Sequence, residues 1–186
     1  MRVVAGTARS LLLMTPEGEH TRPTSDRIKE TLFNVIQNDF PGGVFVDLFA
    51  GSGGIGIEAL SRGAKKAYFI ENDRRALECI ERNLKHTHLD DKAVVLKQDA
   101  VLALGYSIHE TADVIFADPP YGKGYDRMLL EAACRSEAVS EDTLLIIEEA
   151  KDADFSYCSE FGFVIIKEKI YKSNKHVFLR KGGNDE

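Results

Sequence analysis

The sequence predicts an α/β fold in which a mostly parallel sheet is covered by helices on both faces. One observation is that short apolar runs alternate with helix-patterned segments between residues 43 and 149, as in consecutive βαβ units. The other is that residues 162–171 and 174–181 are both patterned as strands, with only Lys172 and Ser173 between them. No helix fits between them, so we expect an antiparallel hairpin at one edge of the sheet.

The length and composition predict one domain. The chain has 186 residues, of which 44% are hydrophobic, and this is enough for a sizeable core. We divide the domain 1–186 into an N-terminal extension, residues 1–40, and a core, residues 41–186. No repeat and no long linker suggests a second domain.

The N-terminal extension is predicted to form a short hairpin followed by a helix. Residues 1–6 and 10–16 are patterned as the two arms of the hairpin. Residues 22–37 then read as a helix that Thr24 or Ser25 caps. Its apolar stripe consists of Ile28, Leu32, Val35 and Ile36.

The core supplies five more strands and three helices, in alternation. The predicted strands are residues 43–49, 66–71, 92–99, 112–118 and 142–149. The predicted helices are residues 55–63, 73–86 and 125–136. Asp73 is a suitable N-cap for the second of these helices, and Gly63 a suitable C-cap for the first.

Composition excludes several classes of protein. No apolar run approaches the roughly 18 residues that suggest a membrane span, and the N-terminus lacks the apolar region of a signal peptide. The three cysteines, Cys79, Cys134 and Cys158, form no CxxC pair. This pattern predicts a reduced, cytoplasmic protein without a disulfide framework or a metal site.

The charge is unevenly distributed. The net charge of −6 counts against a protein whose main task is to coat nucleic acid. Residues 167–181, however, contain six cationic side chains and a single acid, and the N-terminal segment is rich in arginine. Charge patterning alone leaves two interpretations open, which are solvated faces and a surface for RNA.

A glycine-rich turn follows the first core strand and predicts a nucleotide site. Gly51, Gly53 and Gly56 have the GxGxxG spacing, and Glu71 comes twenty residues after Gly51 at the end of the next strand. Glycines let the backbone approach a ligand closely, and the carboxylate can accept hydrogen bonds from ribose hydroxyls. The pattern therefore predicts an adenosine-type ligand.

Two more carboxylates indicate which ligand this is. Asp47 lies in the strand before the turn and would repel a pyrophosphate, whereas it suits the cationic amino and sulfonium groups of S-adenosylmethionine. Asp99 ends the third strand, where an adenine amine could be recognised. Each acid could instead cap the turn that follows its strand, but three of them around one glycine turn favour a cofactor site.

The stretch ADPPYG predicts a site for a second, amine-bearing reactant. Asp118 ends a buried strand, where ligands bind in open α/β sheets. Pro119 and Pro120 carry no N–H, so this corner offers acceptors only. Tyr121 adds a flat face for stacking on a base, worth roughly 1–3 kcal/mol. The corner can therefore hold an exocyclic amine in line with a methyl donor.

These motifs resemble those of Rossmann-like, S-adenosylmethionine-dependent amino-methyltransferases of nucleic acid bases. Three stretches are similar to the RsmD family, which are bacterial 16S ribosomal RNA guanine-N2 methyltransferases. These stretches are RPTSDRIKETLFNVI, DLFAGSGGIGIEALSRGA and DPPYGKGYD. The resemblance covers nearly the whole chain, and the block at 22–36 is its family-specific part. DPPY alone is shared with adenine-N6 and cytosine-N4 enzymes. Lys172 and Ser173 depart from the Tyr-Gly turn expected of the family.

The resemblance implies a seven-stranded methyltransferase sheet and a set of site residues. The implied catalytic residues are Asp118, Pro119, Pro120 and Tyr121. The implied cofactor-binding residues are Asp47, Phe49, Ala50, Gly51, Ser52, Gly53, Glu71, Asn72, Asp99 and Ala100. The implied RNA-binding residues are Arg9, Arg22, Thr24, Arg27 and Lys172. The implied partner is small-subunit ribosomal RNA, free or in an assembling 30S particle, and the protein is expected to be a monomer.

The chemistry of the corner favours guanine and leaves alternatives. An ionised Asp118 can accept from both N1–H and N2–H₂ of guanine, a base that must leave its stack to enter such a pocket, whereas adenine presents an acceptor at N1. Methylation of adenine N6 or of a protein glutamine is the second hypothesis. An NAD-dependent oxidoreductase is a third, against which Asp47 argues, and a non-enzymatic RNA-binding module is a fourth.

Overall fold

Seven strands form one sheet in the computed structural model, which describes residues 1–16 and 26–182. They are β1 (Val44–Leu48), β2 (Lys66–Glu71), β3 (Ala93–Lys97), β4 (Val114–Ala117), β5 (Leu144–Ala150), β6 (Phe163–Ile170) and β7 (Asn174–Lys181). The strand order is β3-β2-β1-β4-β5-β7-β6. β1 to β5 pair in parallel, whereas β7 is antiparallel to both β5 and β6. The predicted mostly parallel, seven-stranded sheet with an antiparallel C-terminal hairpin is confirmed.

Five α-helices accompany the sheet in the described residues. They are α1 (Asp26–Val35), α2 (Gly54–Ser61), α3 (Arg74–Thr87), α4 (Ala100–Tyr106) and α5 (Tyr125–Arg135). Asp73 caps α3 by accepting a hydrogen bond from the N–H of Ala76 at 2.9 Å, as predicted. α4 was not predicted, because its seven residues are mostly apolar and show no helical spacing of polar positions. No helix of the described residues is long and apolar enough to cross a membrane.

The two faces of the sheet carry separate apolar cores. Successive strand residues alternate between them, with Phe45 on one face and Val46 on the other. α1, α2 and α3 cover the face of Phe45, whereas α4 and α5 cover the face of Val46. Residues of the N-terminal extension, including Val3 and Phe33, are buried in the first core.

The two arms of the predicted N-terminal hairpin pair with each other, although they do not form regular strands. An isolated antiparallel bridge joins Arg2 to Leu12, and the N–H groups of Val3 and Leu13 donate across the arms to the carbonyls of Leu11 and Met1 at 3.0 and 2.9 Å. The N–H groups of Val4 and Ala5 donate to the Glu58 carboxylate at 2.8 and 2.9 Å. The predicted caps Thr24 and Ser25 lie outside the described residues, and the described part of the helix begins at Asp26.

Candidate active site

A cleft of about 840 Å³ opens at the carboxyl ends of the strands, beside β1 and β4. In this topology the chain crosses from one side of β1 to the other, and such a switch point is where open α/β sheets bind ligands. The cleft is lined by the turn after β1, the residues that follow β2 and β3, the corner after β4, and the turn between β6 and β7. The sheet thus gathers the predicted motifs at one edge.

Most of the predicted site residues line this cleft. Its walls include nine of the ten predicted cofactor-binding residues, with Gly53 as the exception, and all four predicted catalytic residues. Lys172 also lines it. Arg9 and Arg27 are exposed and are not part of the wall. Arg22 and Thr24 lie outside the described residues. The roles assigned to all these residues remain predictions.

The turn after β1 requires glycine for two different reasons. Gly51 and Gly53 have φ angles of 54° and 81°, in the left-handed region where a Cβ is strained. Gly56 instead lies against β2, and a Cβ there would come within 2.4 Å of Cε1 of Phe69. Phe49 also has a positive φ of 60°, which is rare for an aromatic residue and marks backbone strain at the cleft.

Glu71 organises the turn as well as facing the cleft. Its Oε2 accepts a hydrogen bond from the N–H of Gly51 at 2.8 Å. Its Oε1 accepts from the N–H groups of Asn72 and Asp73 at 2.8 and 2.9 Å. A carboxylate has about four lone-pair sites, so these three bonds leave capacity for a ribose hydroxyl.

Asp47 is a buried carboxylate aimed at the same turn. It is 2% exposed, and its Oδ2 accepts from the N–H of Gly56 at 2.8 Å. The pKa of Asp47 is raised to about 7, mainly by burial. The hydrogen bond from Gly56 acts to lower this pKa, and the neighbouring charge of Glu71 acts to raise it. A cation bound beside Asp47 and Glu71 would stabilise their ionised carboxylates, whereas an anion would destabilise them.

Asp99 is the N-cap of α4. This agrees with the alternative interpretation of the three acids, in which each one caps the turn that follows its strand. Its Oδ1 accepts hydrogen bonds from the N–H groups of Val101 and Leu102 at 2.9 and 3.0 Å. All three acids therefore cap a turn and line the cleft at the same time. The two interpretations offered by the sequence are compatible, because one oxygen can fix the turn while the carboxylate still borders the ligand space.

Asp118 follows β4 and lies in a crowded acidic environment. Burial, together with the charges of Glu148, Asp47 and Glu149, raises its pKa to about 8. Without a ligand the side chain therefore favours its protonated form at neutral pH. The assumption of an ionised Asp118, made from the sequence, holds only after a cationic ligand lowers this pKa.

Tyr121 does more than present an exposed ring. Its hydroxyl donates a hydrogen bond to Oε1 of Glu148 at 2.6 Å. Oε2 of Glu148 contacts Nε2 of His176 at 2.8 Å, and Asn174 also donates to Glu148. Glu148, His176 and Asn174 belong to none of the motifs found in the sequence. The only sequence signal was the pair of acids at the end of the apolar run in β5.

The N-terminal segment closes one side of the cleft. Met1 lines the cleft, and its sulfur lies so near Gly54 that a Cβ there would be 2.5 Å away. Glu58 is fully buried and holds this segment, and Lys29 reaches both Oε2 of Glu58 at 3.4 Å and the carbonyl of Arg2 at 2.5 Å. α1 and α2 therefore fix the position of Met1 together.

The basic C-terminal segment is partly structural. Lys175 is 7% exposed and pairs with Glu168 at 2.6 Å. Arg180 pairs with Asp39 at 3.0 Å, and Lys181 donates to the carbonyl of Val139 at 2.8 Å. These cations have partners within the fold, so the strongest remaining candidate in this segment is the exposed Lys172 at the cleft.

The parallel sheet, the glycine turn and the acid-lined cleft define a Rossmann-like methyltransferase. The family described as Conserved hypothetical protein 95 matches residues 1–180, and the chain belongs to this family. It is 32% identical over 171 residues to the Haemophilus influenzae protein named ribosomal RNA small subunit methyltransferase D, covering 91% of this chain and 88% of the relative. It is 32% identical over 148 residues to the Escherichia coli protein of the same name, covering 80% of this chain and 74% of the relative. The predicted membership of the RsmD family is confirmed.

Solved structures support the same class. The structure of yhhF from Escherichia coli has a TM-score of 0.83 at 26% identity and covers 99% of both chains. A Thermus thermophilus structure, titled only as a hypothetical protein, has a TM-score of 0.79 at 27% identity over 96% of this chain and 98% of the other. The architecture, including the N-terminal segment, is thus common to these proteins.

Proposed function

We propose that the protein transfers a methyl group from S-adenosylmethionine to the exocyclic N2 amine of a guanine in small-subunit ribosomal RNA. The observation that carries this proposal is the position of the DPPY corner, which borders the same cleft as the acidic cofactor residues. The names of the Haemophilus influenzae and Escherichia coli relatives, ribosomal RNA small subunit methyltransferase D, support the choice of RNA.

S-adenosylmethionine is the cofactor, and the residues of the cleft fit it. When bound, it supplies a methyl group activated by the positive charge of its sulfonium. Asp47 and Glu71 provide negative charge where a cationic ligand is favoured, and Gly51 leaves open space beside the backbone. Glu71 is placed to accept from the ribose, and Asp99 from the adenine amine. NAD, with its pyrophosphate, is the poorer fit because these acids would repel it.

Asp118 and Pro119 orient the amine of the target base. The Asp118 carboxylate and the Pro119 carbonyl are both acceptors at the wall of the cleft, so they direct the amine hydrogens and leave the nitrogen lone pair to attack. Positive charge develops on that nitrogen as its bond to the methyl carbon forms and the carbon–sulfur bond of the cofactor breaks. An ionised Asp118 stabilises this charge, and the low-dielectric surroundings strengthen the effect. The demethylated cofactor is the leaving group, and the methylated amine then loses one proton.

The RNA is held by cations around the cleft rather than inside it. Lys172 lines the cleft and is exposed, and Arg9 and Arg27 are exposed on the N-terminal segment and α1. Arg22 and Thr24 belong to the same proposal from the sequence. Such cations position the backbone and carry no base specificity. The protein acts in the cytoplasm as a monomer, on free RNA or on an assembling 30S particle.

Adenine is the second candidate, and one observation favours it. Asp118 favours its protonated form in the ligand-free protein because its pKa is raised to about 8. A protonated carboxyl could donate to the acceptor N1 of adenine, whereas an ionised one suits guanine. The protonation state of Asp118 in the complex therefore decides between the two bases.

Mass analysis of ribosomal RNA tests the proposal. A strain without the gene should lose one N2-methylguanine from its small-subunit RNA, and the gene supplied in trans should restore it. Loss of N6-methyladenine instead would select the second candidate. An unchanged set of modified bases would exclude both RNA proposals. The purified protein with labelled S-adenosylmethionine should label the unmodified RNA from the deletion strain and not the wild-type RNA.

A further inference from the structure

A buried hydrogen-bonded chain connects the target-base corner to the antiparallel edge of the sheet. It runs from Tyr121 through Glu148 to His176, and it ends near Tyr171. Glu148 and His176 lie opposite each other in the pairing of β5 with β7, and Asn174 lies two residues away on the same strand. The antiparallel hairpin therefore delivers two side chains to a carboxylate of the parallel sheet.

This set of hydrogen bonds extends well beyond the turn that contains Tyr121. Glu148 is 6% exposed and His176 is fully buried. The His176 ring also packs edge-on against Tyr171 and Phe116, at centroid distances of 4.9 and 5.8 Å. Burying a carboxylate costs several kcal/mol unless it is paired and hydrogen-bonded. Here the carboxylate has three side-chain partners, of which Tyr121 and Asn174 line the cleft and His176 does not.

We propose that Glu148, held by His176 and Asn174, is a positioning residue that fixes the Tyr121 ring for stacking on the target base. This inference rests on the proposed function and deepens it. Tyr121 is 41% exposed, and it follows two prolines in a turn. Its hydroxyl donates to Glu148 at 2.6 Å, and this bond ties the ring to β5, so the ring orientation depends on that carboxylate.

The same carboxylate acts electrostatically on Asp118. Burial is the main cause of the raised pKa of Asp118, and Glu148 is the largest charge that adds to it, ahead of Asp47 on β1 and Glu149 on β5. Glu148 itself is an anion, because the hydrogen bonds from His176, Tyr121 and Asn174 overcome burial and lower its pKa. Removing its charge should therefore lower the pKa of Asp118.

A double-mutant cycle separates positioning from a merely structural role. Tyr121→Phe removes the donor of this hydrogen bond, and Glu148→Gln replaces its charged acceptor by a weaker, neutral amide oxygen. At high pH, where Asp118 is ionised in every variant, each should lower the single-turnover methylation rate about 10-fold, and the double variant should also be about 10-fold slower rather than about 100-fold, because both act through one contact. Cofactor affinity should be unchanged. Additive losses would overturn the proposal.

The pH profile gives a second readout. If transfer requires an ionised Asp118, the rate rises with pH through its pKa. Glu148→Gln removes a neighbouring negative charge, so this rising limb should move to lower pH. Tyr121→Phe leaves the charge in place and should slow the reaction without moving the limb. A profile unmoved by Glu148→Gln would contradict the electrostatic part of the inference.

Glu137→Gln is the matched control. Glu137 is also a carboxylate in contact with a histidine, His109, at 2.9 Å, but both side chains are exposed and neither lines the cleft. Combined with Tyr121→Phe it should give additive effects, and coupling as large as that of Glu148 would contradict the proposal. If Glu148→Gln does not fold, His176→Gln and Asn174→Ala replace it in the cycle, with the same coupling to Tyr121→Phe expected and additivity again overturning the proposal.

Ring-labelled tyrosine spectra test the inference without any substrate. Glu148→Gln should shift and broaden the Tyr121 resonance in the free protein, and Glu137→Gln should not. An unperturbed Tyr121 resonance in Glu148→Gln would exclude positioning. This measurement does not depend on the proposed function. If the wild-type protein is inactive but Glu148→Gln still perturbs the Tyr121 resonance, the methylation proposal is rejected and the positioning role is retained.

Discussion

The N–H of Gly51 donates a hydrogen bond of 2.8 Å to Oε2 of Glu71, although twenty residues separate them in the chain. β1 and β2 pair in parallel with Leu48 opposite Ile70, and this register brings the turn after one strand to the end of the next. The carboxylate predicted to bind a ribose thus also fixes the glycine turn on which the cofactor would lie.

Replacement of Glu71 should weaken cofactor binding. We expect Glu71→Ala to cost about 1–3 kcal/mol in the affinity for S-adenosylmethionine, since it removes a charged acceptor and releases the N–H of Gly51. Calorimetry with S-adenosylmethionine, its demethylated product and NAD measures this. Glu78→Ala, which removes an exposed carboxylate paired with Arg74, should bind as wild type does. Equal affinities for the two variants, or tighter binding of NAD, would contradict the assignment.

Asp118 should affect the rate more than cofactor binding. Asp118→Ala is expected to slow single-turnover methylation by at least about 100-fold, or roughly 2.7 kcal/mol, with little change in cofactor affinity. Asp118→Asn places an NH₂ group against N1–H of guanine and should therefore also be slow. Asp152→Ala, at an exposed acid in a turn, is the control. Near wild-type rates for Asp118→Ala would mean that the amine is oriented by other groups.

The buried carboxyl of Asp47 should make folding stability depend on pH. Its pKa of about 7 lies above the ordinary 3.8 because of burial, so the folded protein binds a proton that the unfolded chain releases. Stability should fall as pH rises from about 4 to 7, on the order of 4 kcal/mol from this group. Asp47→Asn keeps an acceptor for Gly56 and removes the titration.

Urea denaturation of both proteins over this pH range measures the effect. The stability curve of Asp47→Asn should be flatter, and its advantage over wild type should grow towards pH 7. Asp99→Asn, a carboxyl replacement at an N-cap, serves as the comparison. Parallel curves for wild type and Asp47→Asn would show that Asp47 does not retain its proton in the folded protein.

The exposed cations near the cleft should contribute to RNA affinity. Reversing Arg27 and Lys172 to glutamate should weaken binding of a small-subunit RNA fragment and reduce the slope of log K against log salt by about 0.7 per lost phosphate contact. Cofactor affinity should not change. Reversing Arg75 and Arg82, two exposed cations on α3, to glutamate makes an equal charge change and is the matched control. An unaltered affinity and salt slope would assign Arg27 and Lys172 to a solvated face.

The buried pair of Lys29 and Glu58 should be important for stability and for the cleft. Glu58→Gln leaves a buried ammonium without its carboxylate, for which we expect a loss of about 3–5 kcal/mol. The amides of Val4 and Ala5 should then exchange faster, because they lose a charged acceptor.

The comparison for this pair is Glu131→Gln, which breaks an exposed contact with Arg135 and should cost less than about 1 kcal/mol. Denaturant unfolding and hydrogen exchange measure both variants. If Glu58→Gln costs no more than Glu131→Gln, the buried pair is not what holds the N-terminal segment to α2.

The sequence alone determined the sheet class, the glycine turn and the place of the DPPY corner. Those features depend on local requirements, namely the alternation of strand and helix periods, the left-handed φ of Gly51, and a carboxylate such as Asp118 after a buried strand. In a parallel sheet the carboxyl ends of neighbouring strands meet at one edge, so the sequence alone assigns these separate motifs to one cleft.

Only the tertiary structure decided which distant groups meet and which charges are buried. The contact of Glu148 with His176 depends on the antiparallel register of β5 and β7, and no local pattern encodes it. The raised pKa of Asp118 results from desolvation and from acids on other strands, and Lys175 was found in an ion pair instead of on an RNA surface. Burial and through-space charge are properties of the packed chain, so neither can be read from the order of its residues.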